Sequence, residues 1–262
     1  MQFFTRDFDT PSFTIYPLGD FHYGSRQCDE AFIAQVIDEV RGNPLAYWVG
    51  MGDMMENALI GSKSDVYTQT VQPKEQIEHL VDMLKPIKDK GLFMIAGNHE
   101  QRTTRMVGLV PEQHIALMLG IPYAGFSCLA YFQSASSKSP HGFTAYFHHN
   151  TGGGYTAGGK VNAAARLRQI VPTADATFTA HVHTTSRMPV TWFECSYKSL
   201  LKRTGYDYTI GSALTWNESY AEEKAKRPAS LEFIKVTFHG ATRGDCDNRR
   251  QVYEVISKGA SA

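Results

Sequence analysis

LAYWVGMGD, residues 45–53, is a short apolar run that ends on glycine and a polar residue. The same pattern occurs in FTIYPLGD, residues 13–20, and in LFMIAGNHE, residues 92–100. Residues 29–40 and 73–90 instead place apolar side chains three and four positions apart, which is the spacing of an amphipathic helix. Short apolar strands that alternate with helices are typical of β-α-β units. These residues therefore predict an α/β fold.

The rest of the chain continues this alternation to about residue 188 and then becomes rich in strand-like runs. The predicted elements are helices over 111–119, 161–171 and 218–226, and strands over 129–133, 143–149, 176–180, 206–210 and 231–238. A Gly-rich loop, residues 152–159, precedes one of these helices. Neither a linker nor a repeat interrupts the order, and single domains of this size are common in α/β folds. We therefore expect residues 1–262 to form a single domain.

The composition indicates a globular protein: 42% of the 262 residues are hydrophobic, and 26 Lys+Arg balance 26 Asp+Glu. A formal net charge of +0 does not indicate a nucleic-acid partner, although it does not exclude one. Four cysteines without a CxxC pair favour a reducing compartment. The first residues lack the apolar segment of a signal peptide, and no apolar run approaches the ~20 residues of a membrane helix. We expect a soluble, cytoplasmic protein without a membrane partner.

Polar side chains that suit a metal ion follow five of the predicted strands. They are Asp20 and His22, Asp53, Asn98 and His99, His148 and His149, and His181 and His183. In α/β sheets, ligands bind at the carboxyl ends of the strands, where residues distant in sequence converge. Alternate residues of an extended segment project to one side, so Asp20 and His22 can reach one ion together. Carboxylate, imidazole and amide ligands suit Mn, Fe, Zn, Ni or Co and do not distinguish among them.

These blocks resemble the motifs of the calcineurin-like metallophosphoesterase family, which run D-x-H, G-D, G-N-H-[DE], a single His, and G-H-x-H. The matching residues are Asp20 and His22, Gly52-Asp53, Gly97-Asn98-His99-Glu100, His149, and His181 and His183. All five blocks occur in this order over residues 18–183, which makes the resemblance specific. Ala180 departs from the pattern, since the family usually has glycine there, but this change removes no ligand.

The resemblance implies the family's four-layer αββα sandwich, in which two mixed β-sheets pack face to face with flanking helices. It also implies two divalent transition-metal ions, both bound by a bridging Asp53. The remaining ligands would be divided three and three: Asp20, His22 and His183 on one ion, and Asn98, His149 and His181 on the other. By the same analogy, His99 stabilises the transition state or protonates the leaving group. Glu100 either orients His99 or is a helix N-terminal acid.

Several neighbouring residues have two interpretations. His149 fits the family spacing to the following Gly-rich loop better than His148, which is the alternative ligand or a substrate-side residue. The pair Gly153 and Gly154 either holds a substrate phosphate with its backbone N–H groups or belongs to an ordinary flexible loop. Arg102 either binds a phosphate oxygen or pairs on the surface, and Glu56 either lines the cleft or hydrogen-bonds behind it.

The predicted activity is that of a dimetal-dependent phosphoesterase, which hydrolyses phosphodiesters, phosphomonoesters or both through a metal-bridged hydroxide. Its partner would be a small phosphate ester substrate. Two alternatives share this fold. A DNA or RNA nuclease is not favoured by the neutral charge, and a non-catalytic binding scaffold is expected to have lost ligands. The sequence does not indicate the oligomeric state.

Overall fold

A computed structural model describes residues 1–62, 64–135, 142–150, 152–154, 156–195, 197–216, 225, 231–240 and 250–258. The strands are β1 (Gln2–Phe8), β2 (Ser12–Leu18), β3 (Ala46–Gly50), β4 (Gly91–Met94), β5 (Ser127–Ser134), β6 (Phe143–His148), β7 (Ala176–Thr179), β8 (Ser186–Cys195), β9 (Leu200–Thr209), β10 (Glu232–His239) and β11 (Arg250–Ser257). The α-helices are α1 (Glu30–Gly42), α2 (Pro73–Leu84), α3 (Gln101–Val107), α4 (Pro111–Leu119) and α5 (Ala157–Arg168). Short 3₁₀ helices span Val66–Thr68 and Lys85–Lys90.

The described strands form two mixed sheets. The six-stranded sheet has the order β1-β5-β6-β7-β9-β8, and the five-stranded sheet has the order β11-β10-β2-β3-β4. Strands β2, β3 and β4 are parallel to one another, as are β6, β7 and β9. Strand β5 runs antiparallel to β6, and β10 runs antiparallel to β2. The predicted mixed α/β architecture with two mixed sheets is therefore confirmed.

An aromatic core joins the two sheets. Phe13 on β2 lies 5.6 Å from Phe132 on β5, and Phe93 on β4 lies 5.3 Å from Phe147 on β6, measured between ring centroids. Alternate residues of a strand face opposite sides, so Tyr16 on β2 joins a second buried cluster on the outer face of its sheet. Because both faces of β2 are covered, its sequence is a nearly continuous apolar run.

Helices cover the outer faces of both sheets. Phe32 of α1 and Ile115 of α4 share a buried cluster with Trp48 of β3 in the five-stranded sheet. On the opposite side of the molecule, Leu167 of α5 packs with Tyr146 of β6 in the six-stranded sheet. The order helix, sheet, sheet, helix is consistent with the predicted sandwich.

Several elements differ from the sequence-based expectations. Strands β1, β8 and β11 and the short helix α3 were not predicted, and all three strands lie at an edge of their sheets. The helix predicted over 161–171 begins earlier, at Ala157, because the Thr156 hydroxyl caps it by accepting a hydrogen bond from the Gly159 N–H at 3.2 Å. The helix predicted over 218–226 lies outside the described residues, apart from residue 225. Within the described ranges, no helix has both the length and the apolar character of a membrane span.

Candidate metal centre

The seven predicted ligands converge at strand ends contributed by both sheets. Those of the five-stranded sheet are Asp20 and His22 after β2, Asp53 after β3 and Asn98 after β4; those of the six-stranded sheet are His149 after β6, and His181 and His183 after β7. Asp20, His22, Asp53 and His149 are almost fully buried. Buried ionisable groups of this kind are stable when they pair with one another or coordinate a metal. The structure therefore gathers the blocks that the sequence keeps apart.

The backbone is strained at most of these positions. Five of the seven residues have left-handed φ values: +51° at Asp20, +49° at His22, +48° at Asp53, +71° at His181 and +47° at His183. A non-glycine residue with positive φ is uncommon, and each costs of order 1–3 kcal/mol unless the surroundings enforce it. Such outliers cluster at functional sites, where side-chain placement takes precedence over local backbone stability.

Two glycines let the strand ends approach closely. Gly52, with φ of +81°, has no room for a side chain, because a Cβ atom there would lie 2.4 Å from the Gly97 backbone nitrogen. A Cβ atom on Gly97 would lie 2.0 Å from the backbone nitrogen of Asp53. The glycines that precede Asp53 and Asn98 in the sequence therefore bring these two side chains to the same point.

The first group of ligand atoms belongs to Asp20, His22 and His183. The two imidazole Nε2 atoms lie 3.2 Å apart, and Asp20 Oδ1 lies 3.5 Å from His183 Nε2 and 4.0 Å from His22 Nε2. The other carboxylate oxygen of Asp20 accepts a hydrogen bond from the His181 backbone N–H at 2.8 Å. This bond fixes the carboxylate so that Oδ1, which is buried and has no hydrogen-bond partner among the described residues, faces both rings.

The second group belongs to Asp53, Asn98, His149 and His181. Asn98 Oδ1 lies 3.0 Å from His149 Nε2, and Asp53 Oδ2 lies 3.2 Å from the same nitrogen. Turning the Asn98 amide over would place its NH₂ group 2.7 Å from His181 Nδ1 and 3.3 Å from Asp53 Oδ2, where it could donate to both. With the oxygen turned inward, these atoms are all electron-pair donors that face one point. A bound cation would favour this orientation, whereas donation to His181 and Asp53 would favour the opposite one.

The orientation of the His149 ring is also suited to binding a cation. Its Nδ1 lies 2.7 Å from the carbonyl oxygen of Met51, which can only accept, so Nδ1 carries the proton and Nε2 offers a lone pair. Burial opposes a charge on this ring, but the adjacent Asp53 carboxylate outweighs burial and raises the pKa of His149 to about 10. Without a metal, Nε2 therefore also holds a proton at neutral pH, and a bound cation would take the place of that proton. His148 lies outside this group, and its Nδ1 accepts a hydrogen bond from the Asn150 N–H at 2.7 Å.

Asp53 lies between the two groups. Its carboxylate is within 4.8 Å of ligand nitrogens of His149 and His181 on one side, and of His22 and His99 on the other. Burial alone would raise the pKa of Asp53, but the neighbouring imidazoles, His149 foremost, hold it well below its usual value. A carboxylate in this position can serve two ions at once. The set of carboxylate, imidazole and amide donors therefore fits two divalent transition-metal ions.

His99 is adjacent to this set, and Glu56 holds it in place. His99 Nδ1 lies 2.8 Å from the Glu56 carbonyl oxygen, and its Nε2 lies 3.9 Å from Asp53 Oδ2. Burial lowers the pKa of His99 to about 4. The Glu56 carboxylate lies 3.4 Å from His22 Nδ1, and the His22 ring outweighs burial and lowers the pKa of Glu56 to about 2. Glu56 therefore contacts the His22 ring through its carboxylate and the His99 ring through its backbone carbonyl.

The expectation that Glu100 orients His99 is corrected by its contacts. The fully buried Glu100 carboxylate accepts hydrogen bonds from three consecutive backbone N–H groups, those of Asp53 at 3.1 Å, Met54 at 2.7 Å and Met55 at 3.1 Å. It therefore shapes the loop that carries Asp53, while the His99 ring is held by Glu56. Glu100 also lies directly before the first residue of α3, as the alternative interpretation expected, but its side chain makes no capping hydrogen bond there.

Sequence reasoning missed Glu112. Its Oε1 accepts a hydrogen bond from the Gly97 N–H at 2.8 Å and so fixes the loop before Asn98. Burial raises its pKa to about 7, and Asp53 adds to the effect. The sequence pattern could have indicated that Glu112 is buried. Glu112 lies three and four residues before Ile115 and Ala116, which places it on the buried face of α4.

The predicted substrate-binding residues have separate environments. Nη1 of Arg102 donates to the carbonyl oxygens of Glu56 at 3.0 Å and Asn57 at 3.2 Å, and to the Ser64 hydroxyl at 2.9 Å, so it supports the loop beside His99. Gly153 is exposed, and a Cβ atom there would contact Val182, between two of the ligands. Gly154 packs against Gly159 in the first turn of α5. A role of these residues in substrate binding stays a prediction.

Taken together, the side chains can hold two divalent cations next to each other with one uncoordinated imidazole, His99, beside them. Three acidic or amide groups and four imidazoles do this from loops that Glu56, Glu100 and Glu112 hold in place. No protein-family model matches this chain, and a search of curated proteins gives no significant match.

Proposed function

We propose that this protein is a dimetal-dependent phosphoesterase that hydrolyses phosphodiesters, phosphomonoesters or both. The observation that carries the proposal is the convergence of all five motif blocks on one buried cluster of electron-pair donors around Asp53. Their identity and order support membership of the calcineurin-like metallophosphoesterase family, with its four-layer αββα fold. We propose this membership together with the activity.

Each side of the cluster would hold one ion. Asp20, His22 and His183 form one side, and Asn98, His149 and His181 form the other, with Asp53 shared between them. When bound, two such ions lower the pKa of a water molecule and offset the negative charge on phosphoryl oxygens.

His99 has the geometry of a group that moves a proton or stabilises charge. The Glu56 carbonyl can only accept, so His99 Nδ1 carries a proton and the opposite nitrogen, Nε2, is directed toward Asp53. Nε2 can accept a proton and, once protonated, donate it to a leaving-group oxygen. The hydrogen bond to Glu56 keeps the ring in this orientation.

The two alternatives receive less support. A scaffold that has lost catalysis is expected to have lost ligands, whereas each of the seven positions is filled and lies in the cluster. A nuclease requires a surface that attracts a polyanion, and the formal net charge of +0 does not supply one. A small phosphate ester is therefore the proposed substrate class.

Hydrolysis of two model esters tests the proposal. Protein stripped of metal and reloaded with Mn, Ni, Co, Zn or Mg would be assayed with bis(para-nitrophenyl) phosphate and para-nitrophenyl phosphate. We expect at least one transition metal to restore turnover, and His99→Ala to lower it by about 10²–10⁴-fold, the usual contribution of a positioned acid or base.

A matched control uses an imidazole at the other end of the sheet. His239 pairs with Ser12 at the start of β2, whereas the cluster follows the end of that strand, so His239→Ala should leave turnover unchanged. If no metal supports hydrolysis of either ester, or if both variants behave alike, the proposed activity is wrong.

A further inference from the structure

Phe126 is a large apolar side chain at the end of the molecule that carries the candidate metal centre. It directly precedes β5, and its exposed fraction is 65%. Strand β5 runs antiparallel to β6, so β5 begins where β6 ends, next to His149. A single exposed phenylalanine is ordinary by itself. The position of Phe126 relative to the proposed ligands is what distinguishes it.

The register of the β5–β6 pair places Phe126 beside His149. Cys128 lies opposite Phe147 in this pair. Two residues further toward the site, the same register sets Phe126 opposite His149. Residues directly opposite each other in an antiparallel pair have Cβ atoms about 4.5–5.5 Å apart. Cys128 and Phe147 both belong to the core between the sheets, and alternation directs Phe126 and His149 to that same side.

A second contact fixes the other side of this segment. The Ala96 N–H donates a hydrogen bond to the carbonyl oxygen of Gly125 at 2.8 Å. Ala96 follows β4 and lies two residues before Asn98. Asn98 and His149 are proposed ligands of the same ion, so the backbone that carries Phe126 is held between the two loops that supply them.

The ring of Phe126 is accessible at this point. Cys128, two residues along β5, is fully buried between the sheets, whereas Phe126 is mostly exposed. A phenylalanine ring offers neither a charge nor a hydrogen bond to a phosphate. It offers a flat apolar face on which another planar ring can stack. In a nucleoside phosphate ester, the sugar separates the planar base from the phosphate, so the base can reach a side chain that lies beside a metal ligand.

We propose that Phe126 determines specificity by stacking on the base of a nucleoside phosphate ester whose phosphate lies at the metal centre. This inference rests on the proposed phosphoesterase function and narrows its substrate class. Stacking on an aromatic side chain is tolerant of base identity, because every base has a π-face. We therefore expect selection for the presence of a base and little selection among the bases.

Two diesters with the same para-nitrophenolate leaving group test the proposal. They are thymidine 5′-(para-nitrophenyl) phosphate and ethyl para-nitrophenyl phosphate, which differ only in the arm that would reach Phe126. Metal-loaded unaltered protein should have a kcat/KM at least about fivefold higher for the thymidine ester, the lower end of the effect of stacking one base. Phe126→Ala should remove this preference, mainly through KM, because stacking contributes equally to ground-state and transition-state binding. Phe126→Trp keeps a stacking ring and should retain the preference.

Phe193→Ala is the matched control. Phe193 has a similar exposed fraction, 68%, but lies on β8 far from the metal centre. It is seven residues from Ser186, where β8 begins after the His183 loop, which corresponds to about 23 Å of extended strand. The preference for the thymidine ester should therefore be the same in Phe193→Ala as in the unaltered protein.

A binding measurement gives a readout that does not depend on turnover. In equilibrium dialysis against Mn²⁺-loaded protein, thymidine 5′-monophosphate should bind at least about fivefold more tightly than ethyl phosphate, and Phe126→Ala should remove the difference. Hydrolysis without a preference for the thymidine ester, or a preference that Phe126→Ala leaves intact, would overturn this inference alone. Hydrolysis of neither ester would overturn the proposed function, and equal binding of the two phosphates would then still overturn the assignment of Phe126.

Discussion

Asp53→Asn should lower metal-dependent hydrolysis of bis(para-nitrophenyl) phosphate by about 10³-fold or more, since removing a single group that stabilises transition-state charge already costs 10²–10³-fold. The carboxylate lies 3.2 Å from His149 Nε2 and within reach of His22 and His99, so it serves both halves of the cluster. An amide has no negative charge and one ligand oxygen in place of two. We therefore expect this variant to lose one of its two ions as well as its activity.

Asp82→Asn is the matched control for this substitution. Asp82 lies on the exposed face of α2, outside the metal cluster, so the same chemical change there should leave hydrolysis and metal content unchanged. Metal content would be measured by elemental analysis alongside turnover. An Asp53→Asn protein that keeps both ions, or keeps activity within about tenfold of the unaltered enzyme, would contradict the assigned position of Asp53.

Glu100→Ala should lower the free energy of unfolding by about 3 kcal/mol or more, because it leaves three buried backbone N–H groups without an acceptor, and each such group costs 1–3 kcal/mol. Those groups belong to Asp53, Met54 and Met55. The loss should appear as a lower urea midpoint in metal-free protein, which separates it from any loss of bound ions.

Two further variants serve as comparisons for the urea midpoint of Glu100→Ala. Glu100→Gln keeps the volume and one carbonyl oxygen, so it should be less destabilising than Glu100→Ala. Glu78→Ala removes an exposed carboxylate that pairs with Lys74 on α2 and should change stability by no more than about 0.5 kcal/mol. Equal urea midpoints for Glu100→Ala and Glu78→Ala would show that the three hydrogen bonds contribute nothing.

Strands that are buried on both faces were predictable from the sequence, and edge strands with mostly exposed side chains were not. Strands β2, β3 and β4 are covered on both faces or nearly so, and their continuous apolar runs follow directly from that burial. Strand β1 has one neighbour and mostly exposed side chains, so its composition carries little strand signal. Among the described strands, β8 pairs only with β9, and exposed residues alternate along most of its length. The missed strands are therefore the ones that the core constrains least.

Family spacing favoured His149 over His148 as a ligand, and the structure gives the physical reason. Phe147 belongs to the core between the sheets, and alternation directs His149 to that same side, where the cluster lies. His148 instead follows Tyr146 on the outer side, with its ring 6.2 Å from that of Tyr146.

Glu56 and Glu100, which hold the site loops in place, could be identified only from the structure. Glu100 follows His99 directly in sequence, yet it acts on a loop nearly 50 positions earlier, through backbone groups that carry no sequence signal. Glu56 likewise holds the His99 ring through its carbonyl oxygen, which every residue possesses. Ligands are recognisable by side-chain type, whereas contacts to the main chain are specified only by the fold.

The proposed two-ion centre is tested most directly by the number of Mn²⁺ ions that one chain binds at saturation, measured by equilibrium dialysis of metal-stripped protein. Six side chains divided around a shared Asp53 predict two ions per chain. His149→Ala, which removes a ligand from one side only, should reduce the number to one. Zero or one ion bound per unaltered chain, or a count that His149→Ala does not change, would contradict the two-ion centre.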